Sequence, residues 1–295
     1  MGIRATGHDR AFDTANHVFL TIALLMVLYP LYFILIASVS DPQPIYEGKV
    51  WLLPKDFTLD GYRRILTDEG IWRGFRNSFL YMGVGTTVNL LLTLTAGYAL
   101  SRKDMRGAGI VMGFILVTMF VDGGLIPRYL IVRQLGMLDS VWAMTIPNAV
   151  AVWNLIVTRT FFRTTIPDEL TEAARMDGCS TTRFFVSVVL PLSPAIVAVM
   201  ALFYGVAHWN SFFNALIYLR HEYRYPLQLV LRNILIANET QLAMIDDATV
   251  QELQQKLADL IKYGVVVVAS LPVLILYPLL QRYFVHGVMI GAIKG

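Results

Sequence analysis

The sequence predicts an all-α membrane protein that crosses a bilayer with six helices, and two observations lead to this fold class. Only 15% of the 295 residues are charged and 56% are hydrophobic, whereas a soluble domain carries about 25% charged residues. Six apolar stretches also approach the roughly 20 residues that a transmembrane helix needs. Backbone groups in lipid must be hydrogen-bonded within the segment, which favours helices for all six stretches.

Composition also excludes several other classes of protein. The formal net charge of +3 is too small to indicate nucleic-acid binding. Cys179 is the single cysteine in the sequence, which excludes an internal disulfide, a thiolate metal cluster and a redox pair. Since its neighbours are small, we expect a packed thiol.

The six predicted spans are residues 17–39, 77–100, 108–127, 140–158, 192–216 and 263–284. The first is longer than the apolar region of a secretory signal, so we expect it to be retained. Gly83, Gly85 and Gly97 in the second span would let a neighbouring helix approach closely. Four prolines lie inside spans, where neighbouring helices can satisfy the freed carbonyls.

An even number of spans places both termini on one side, and cations show which side that is. The cluster Arg102-Lys103-Asp104-Met105-Arg106 predicts a cytoplasmic loop by the positive-inside rule. Both termini and the loop 159–183 are then cytoplasmic, while the loops 40–76 and 217–262 are outside. We expect residues 1–295 to form one transmembrane domain.

The cytoplasmic loop 159–183 predicts a short helix over 166–177. Thr165 could cap its start and Pro167 suits the first turn. Gly178 suits a left-handed residue at the end of the helix. Ser180-Thr181-Thr182 begins a second helix, and Pro191 and Pro194 should bend the start of the fifth span.

The residues of this helix leave two roles open. Leu170, Ala173 and Ala174 share a shallow face at helical spacing, and Glu172 could pair with a cation of a partner protein. A loop that only joins two spans is the alternative interpretation.

The spacing of this loop resembles a known signature. Glu172-Ala173-Ala174, three residues, Gly178, nine residues and Val188-x-Leu190-Pro191 is similar to the EAA motif of ATP-binding-cassette (ABC) importer permeases, with Val in place of Ile. The stretches FVDGGLIPRYLIVRQLGMLDS, HWNSFFNALIYL and YFVHGVMIGAIKG resemble the LplC-like oligosaccharide branch of the maltose-type sugar permeases, which includes the second permease subunit of alginate importers.

This resemblance implies a type I ABC importer permease fold and a transport subunit rather than an enzyme. It implies coupling to an ATPase through Glu172, Ala173, Ala174, Asp177, Gly178, Leu190 and Pro191. The implied partners are a second permease in a heterodimer, two nucleotide-binding ATPase subunits, an extracytoplasmic solute-binding protein and the membrane lipid. The implied substrate is an oligosaccharide, especially an acidic fragment such as alginate or aldouronate.

The resemblance also implies that this chain lies in the bacterial cytoplasmic (inner) membrane and holds no cofactor, because ATP and Mg bind the partner ATPase. A separate observation agrees with it. The pattern GxxxxGK[ST], whose backbone cradles nucleotide phosphates, is absent from the sequence.

A sugar path is predicted from a polar and aromatic part of the fifth span. The candidate residues are Tyr204, His208, Trp209, Asn210, Phe213 and Asn214. Aromatic faces and amide groups bind sugars, but Trp and Tyr also anchor spans at the membrane boundary. His208 by itself favours a packed or hydrogen-bonded side chain over a proton relay.

Asp122 is the one carboxylate within a predicted span. It could line the path or a gate, or form a cap or ion pair near the outer surface. Cations placed where they might meet an acidic sugar are Arg128, Arg133, Arg220 and Arg224.

Two rival functions fit the sequence less well. An ion-coupled secondary sugar transporter needs intramembrane charges, and Asp122 alone offers one. A membrane-embedded enzyme or scaffold lacks support, because the five histidines are scattered and give no metal spacing. An amphipathic helix near 249–260 could pack on the outer loops or dock the solute-binding protein.

Overall fold

The computed structural model describes residues 7–242 and 248–287. These residues form helices and no strand. They pack as two compact units, one comprising residues up to 68 together with 233–271, the other comprising 69–232 together with residues from 272 onward.

The helices follow one another through short connections. They are α1 Gly7–Ala37, α2 Pro42–Tyr46, α3 Asp60–Thr67, α4 Glu69–Ser101, α5 Ala108–Phe120, α6 Leu125–Gln134, α7 Val141–Thr145, α8 Val152–Thr165, α9 Asp168–Met176, α10 Thr181–Phe184, α11 Pro194–Trp209, α12 Phe213–Tyr218, α13 Leu227–Leu242 and α14 Ala248–Gly287. A π-helical turn Phe185–Val189 follows α10, and 3₁₀ turns lie at Ile146–Asn148 and Glu222–Arg224.

Six bilayer crossings are consistent with these helices. Among the described residues, three stretches are long and apolar enough to cross alone: 12–37, 69–101 and 258–275. Three further crossings arise if each bent pair counts as one: α5 with α6 at 115°, α7 with α8 at 59°, and the 181–189 stretch with α11 at 89°. The prediction of an all-α protein with six spans is therefore confirmed.

Helix breaks account for the main differences from the predicted spans. The third span was predicted over 108–127, but α5 ends at Phe120 and the chain turns before α6. Gly124 has a φ of +88° at the start of α6, which glycine adopts at no steric cost. Within the predicted outer loop 217–262, the helix expected near 249–260 is confirmed by the start of α14 at Ala248, whereas α13 Leu227–Leu242 was not predicted.

Helix α4 is the centre of the larger unit because small residues bring α8 and α11 close to it. A Cβ at Gly97 would lie 2.6 Å from the Thr158 side chain, and one at Gly85 would lie 2.3 Å from the His208 ring. Close approach was predicted for these glycines. Gly83, predicted to act likewise, has nothing within 4 Å.

An aromatic core lies where α4, α8 and the π-helical turn meet. Tyr98 and Phe185 stack with ring centroids 4.9 Å apart. Phe162 meets both rings edge-on, at 5.9 Å from Tyr98 and 6.4 Å from Phe185. The three side chains are buried. Residues of the segment that joins α8 to α11 pack against this core.

The smaller unit is built on close contacts between α3 and α14. A Cβ at Gly61 would lie 2.6 Å from the backbone oxygen of Leu260. Ile65 is 1% exposed and meets Gly264. Tyr46, on α2, donates a hydrogen bond to Asp259 of α14.

Candidate coupling site

Helix α9 has a defined start and a defined end. Pro167 is its N-cap residue, and Asp168 and Glu169 lie in the first turn, where carboxylates favour the positive end of the helix dipole. The predicted cap at Thr165 is wrong, because Thr165 is the last residue of α8 and its hydroxyl is buried without a hydrogen bond.

The end of α9 is a Schellman motif. Gly178 has a φ of +71°, and its N–H donates to the Arg175 carbonyl at 3.0 Å. The N–H of Cys179 donates to the Ala174 carbonyl at 2.9 Å. These two bonds satisfy carbonyls that the helix leaves free. The stop predicted at Gly178 is therefore confirmed, and Cys179 packs against the aromatic core beside Ala174.

The two alanines of the motif face in different directions. Ala174 is half-buried against the core, while Ala173 and Glu172 are exposed. Leu170, Ala173 and Ala174 lie at helical spacing on α9 as predicted, but Ala174 is turned toward the core and only Leu170 and Ala173 are exposed. The outward surface of α9 carries Leu170, Glu172, Ala173 and Met176, and Met176 is 89% exposed.

The chain after α9 leads directly into α11. Ser180 caps α10 by accepting a hydrogen bond from the N–H of Arg183 at 3.3 Å, as predicted. In the π-helical turn the N–H of Leu190 donates to Phe185 at 2.9 Å. Leu190 is half-buried on the core and Pro191 is exposed at the 89° bend, which confirms the predicted bend.

Ion pairs join both ends of α9 to the loop after α4. Asp104 accepts hydrogen bonds from Arg102 at 2.9 and 2.6 Å and also from Arg175 on α9. Lys103 pairs with Asp168 at the start of α9. The hydrogen bonds from Arg102, then those from Arg175 and the positive charge of both, hold the pKa of the Asp104 carboxyl well below its ordinary value. We call these five residues the loop clamp.

The loop clamp was not found from the sequence. The charges of Arg102, Lys103 and Asp104 predicted only the side of the membrane on which the loop lies. The partners of Lys103 and Asp104 on α9 are 65 and 71 residues away in the chain. The nearest signal was an acidic residue in the first turn of α9 and a basic residue in its last turn. Asp177 lies at the C-cap position of α9. Glu172, on α9, helps to line a groove of about 210 Å³ beside the clamp.

Three predicted path residues lie inside the helix packing. Tyr204, His208 and Trp209 are 3%, 7% and 1% exposed. Tyr204 bonds to Thr93 at 2.7 Å, and His208 bonds to Asn89 at 3.0 Å. The packed, hydrogen-bonded state predicted for His208 is therefore confirmed, and in this structure the three side chains contact neighbouring helices.

The other predicted path residues are more accessible. Asn210 and Phe213 are exposed, with Phe213 at 52%, and Asn214 is half-buried. Asp122 accepts a hydrogen bond from the N–H of Gly124 and pairs with Arg128, both at 2.8 Å. It is therefore an ion-pair partner and accepts a hydrogen bond within the turn before α6, while lining of the path stays a prediction.

Two of the four cations predicted for the outer side are neutralised locally. Arg128 pairs with Asp122, and Arg224 lies 3.6 Å from Asp139. Arg133 and Arg220 are exposed and have no ion pair with another described residue. Of these four, Arg133 and Arg220 are the guanidinium groups available to an acidic molecule.

Comparisons with known proteins decide the family. No protein-family model matches the chain. Protein LplC of Bacillus subtilis (strain 168) is 36% identical over 290 residues, covering 98% of this chain and 97% of LplC. The polygalacturonan/rhamnogalacturonan transport system permease protein YtcP of the same organism is 35% identical over 287 residues, covering 97% of this chain and 99% of YtcP. The chain belongs to the permease subunits of ABC importers.

A solved structure agrees with this membership. The permease superposes on a chain of a bacterial ABC transporter involved in the import of the acidic polysaccharide alginate, with a TM-score of 0.85 and 30% identity. The match covers 96% of the permease and 100% of that chain. The predicted fold is thereby confirmed.

Membership also fixes the general role of the chain. The permease is a multi-pass membrane protein and a transport subunit, and in its family ATP is hydrolysed by separate subunits. ABC importer permeases work with a second permease, ATPase subunits and a solute-binding protein. The ion-coupled secondary transporter is excluded as an interpretation.

Proposed function

We propose that the permease imports oligosaccharides, and in particular acidic fragments of polysaccharides such as alginate or aldouronate. Support comes from the name of YtcP, which refers to polygalacturonan and rhamnogalacturonan, and from the alginate transporter whose fold the permease shares. The exposed guanidinium groups of Arg133 and Arg220 supply positive charge that suits carboxylated sugars.

The observation that carries the mechanism is the outward surface of α9. This surface is exposed over Leu170, Glu172, Ala173 and Met176, while the inward side rests on the aromatic core. A short, firmly held helix with small and acidic residues on its free side can dock in a cleft of an ATPase subunit. Movement of α9 then passes through α10 and the bend at Pro191 into α11.

The partners follow from this mechanism. The permease forms a heterodimer with a second permease, and the two subunits together enclose the path. Two ATPase subunits on the cytoplasmic side bind ATP and Mg. The solute-binding protein delivers sugar on the outside, and this chain binds no cofactor. Residues 1–295 form one transmembrane domain with both termini in the cytoplasm of a bacterial cell. The inward-facing and outward-facing packings exchange because ATP and the loaded binding protein bind them with different affinities.

The path proposal is restricted to residues that the structure leaves accessible. Asn210, Phe213 and Asn214 lie at and beyond the end of α11, and their amide and aromatic groups suit sugar hydroxyls and C–H faces. Tyr204, His208, Trp209 and Asp122 would take part only if the transport cycle exposes them.

The test is ATP hydrolysis by the assembled importer in lipid nanodiscs with the solute-binding protein and a panel of neutral and uronate oligosaccharides. We expect uronate oligosaccharides to stimulate hydrolysis several-fold. Glu172→Ala should lose most of this stimulation. Glu169→Ala removes another exposed carboxylate of α9 that does not line the groove, so it is the matched control.

The outcomes separate the two halves of the proposal. Stimulation by neutral sugars alone would overturn the acidic substrate but leave coupling through α9 intact. Stimulation that survives Glu172→Ala, in a complex that still contains the ATPase subunits, would overturn the coupling assignment.

A further inference from the structure

The connection between α2 and α3 contains a run of exposed apolar residues. Trp51, Leu52 and Leu53 are 68%, 68% and 72% exposed. Three consecutive apolar side chains in water are unfavourable, since each forgoes the free energy gained when apolar surface is buried. The position of this run relative to α1 indicates what covers it.

One end of the connection is fastened just beyond the end of α1. The N–H of Asp41 donates to the carbonyls of Lys55 and Asp56 at 3.2 and 3.1 Å. The N–H of Thr58 donates to the Val39 carbonyl at 3.0 Å. Lys55 and Asp56 therefore lie level with the first polar residues after α1, where the membrane span ends.

The other end of the connection lies alongside α1 itself. The hydroxyl of Tyr32 donates a hydrogen bond to the backbone oxygen of Leu52. Tyr32 precedes the last residue of α1, Ala37, by five positions, which is about 7.5 Å along a helix. Helical side chains also lean toward the N-terminus, so the Leu52 carbonyl lies well below the end of the helix.

One end of the connection therefore lies beside the polar residues that follow α1, and the other end lies beside the apolar part of α1. The neighbouring part of α1 is itself apolar and uncovered, because only 6% of the apolar stretch that could cross the membrane is buried. Leu28, Leu31 and Leu35 are 47%, 57% and 53% exposed there. An apolar run at this depth, beside an uncovered membrane helix, is in the same environment as the helix.

We propose that Trp51, Leu52 and Leu53 form a wedge that inserts into the lipid of the leaflet in which α1 ends. Lipid fits better than a protein partner for two reasons. The indole N–H of Trp51 already donates to the Gly48 carbonyl, so it requires no acceptor from a partner. Lys49 and Lys55 flank the wedge and are exposed, as is typical of segments anchored at lipid headgroups. The proposal does not depend on the transported substrate or on coupling through α9.

The test uses an environment-sensitive fluorophore on a single cysteine in a Cys179→Ser background. The fluorophore is placed at Leu53→Cys or, as the matched control two residues away, at Lys55→Cys. The assembled importer is reconstituted in phosphatidylcholine vesicles. The quenchers are phosphatidylcholine carrying a nitroxide near the headgroup, and aqueous iodide. Retained ATP hydrolysis shows that each labelled importer is folded.

We expect blue-shifted emission at position 53, with quenching by the nitroxide lipid several-fold stronger than at position 55. Iodide should quench position 55 and leave position 53 nearly unaffected. Red-shifted emission with iodide quenching at position 53 would place the wedge in water. Protection from both quenchers would show that a protein, such as the second permease, covers it. Either result would overturn the proposal.

Discussion

Asp104, in the loop after α4, is hydrogen-bonded by Arg102 of its own loop and by Arg175 near the end of α9. This carboxylate therefore connects the candidate coupling helix to α4, the helix on which α8 and α11 pack. Lys103 and Asp168 make a second connection at the start of α9. Movement of α9 would then be passed to α4 through the loop clamp, and to α11 through α10.

Removal of the Asp104 charge should have a distinctive pH dependence. The folded-state pKa of Asp104 is lowered, so its stabilisation is present above the unfolded pKa of about 3.9 and is lost as the pH falls through the folded pKa. We expect Asp104→Asn to lower the melting temperature by a constant amount from about pH 8 to pH 5. Thermal unfolding of both proteins in nanodiscs measures the difference. A difference that disappears well above pH 4 would contradict the clamp, because its partners are arginines that do not titrate there.

A charge exchange tests the second connection of the clamp. Lys103→Asp or Asp168→Lys alone should reduce sugar-stimulated ATP hydrolysis, because like charges then face each other at the start of α9. The combined exchange should recover most of it. Both side chains are more than half exposed, so the pair contributes at most about 1 kcal/mol. Failure of the exchange to recover activity, with normal assembly, would show that the pair does not position α9.

Substitutions at Gly178 should follow backbone conformation rather than size. Its φ is +71° and a Cβ there would meet nothing within 4 Å, so the cost is conformational, about 1–2 kcal/mol for most residues. We expect stimulated ATP hydrolysis to fall in the order Asn, Ala, Pro. Asparagine tolerates the left-handed region, and proline cannot adopt it and also loses the N–H that bonds to Arg175.

Gly136→Ala is the control for this series. Gly136 has a φ of +66° and equally open surroundings, but it follows α6 and is remote from α9 in the sequence. It should lower thermal stability as Gly178→Ala does, while stimulated ATP hydrolysis per assembled complex stays normal. Equal loss of coupling in both variants would mean that the effect at Gly178 is only a loss of stability.

A pair of glycines on α4 tests the packing of its interior. Gly85→Ala would place a Cβ 2.3 Å from the buried His208 ring, and overpacking of this kind costs about 1–3 kcal/mol. Gly83→Ala meets nothing within 4 Å and should unfold near the wild-type temperature. Adding His208→Ala should recover part of the stability that Gly85→Ala loses. Equal melting temperatures for the two alanine variants would contradict the packing of α4 on α11.

The sequence predicted features whose cause is local. Gly178 ends α9 because of its backbone freedom, Ser180 caps α10 with its own side chain, and the prolines at 191 and 194 bend the chain. Each of these effects acts within a few residues, so spacing alone was sufficient to predict them.

Features that depend on distant contacts were missed or misassigned. Ala173 and Ala174 are equivalent in helical periodicity, and only packing on Phe162 and its neighbours decides which one is buried. Tyr204 and Trp209 were predicted to line a sugar path because their types suit that role. In this structure α4 covers them, so their part in the path stays a prediction. Arg175, the clamp partner of Asp104 on α9, lies 71 residues away in the chain and meets it only because the fold brings α9 beside the loop.

The most direct test of coupling through α9 is a photo-cross-link from Met176 in the importer purified with its ATPase subunits. A benzophenone label is attached at Met176→Cys in the Cys179→Ser background, because Met176 is 89% exposed on the outward surface of α9. Glu222→Cys, in an exposed turn of the loop after α12, is the control on the opposite side of the proposed membrane. We expect a cross-link to an ATPase subunit from position 176 and none from position 222. Absence of that cross-link in an intact complex, or its appearance at position 222, would contradict the account.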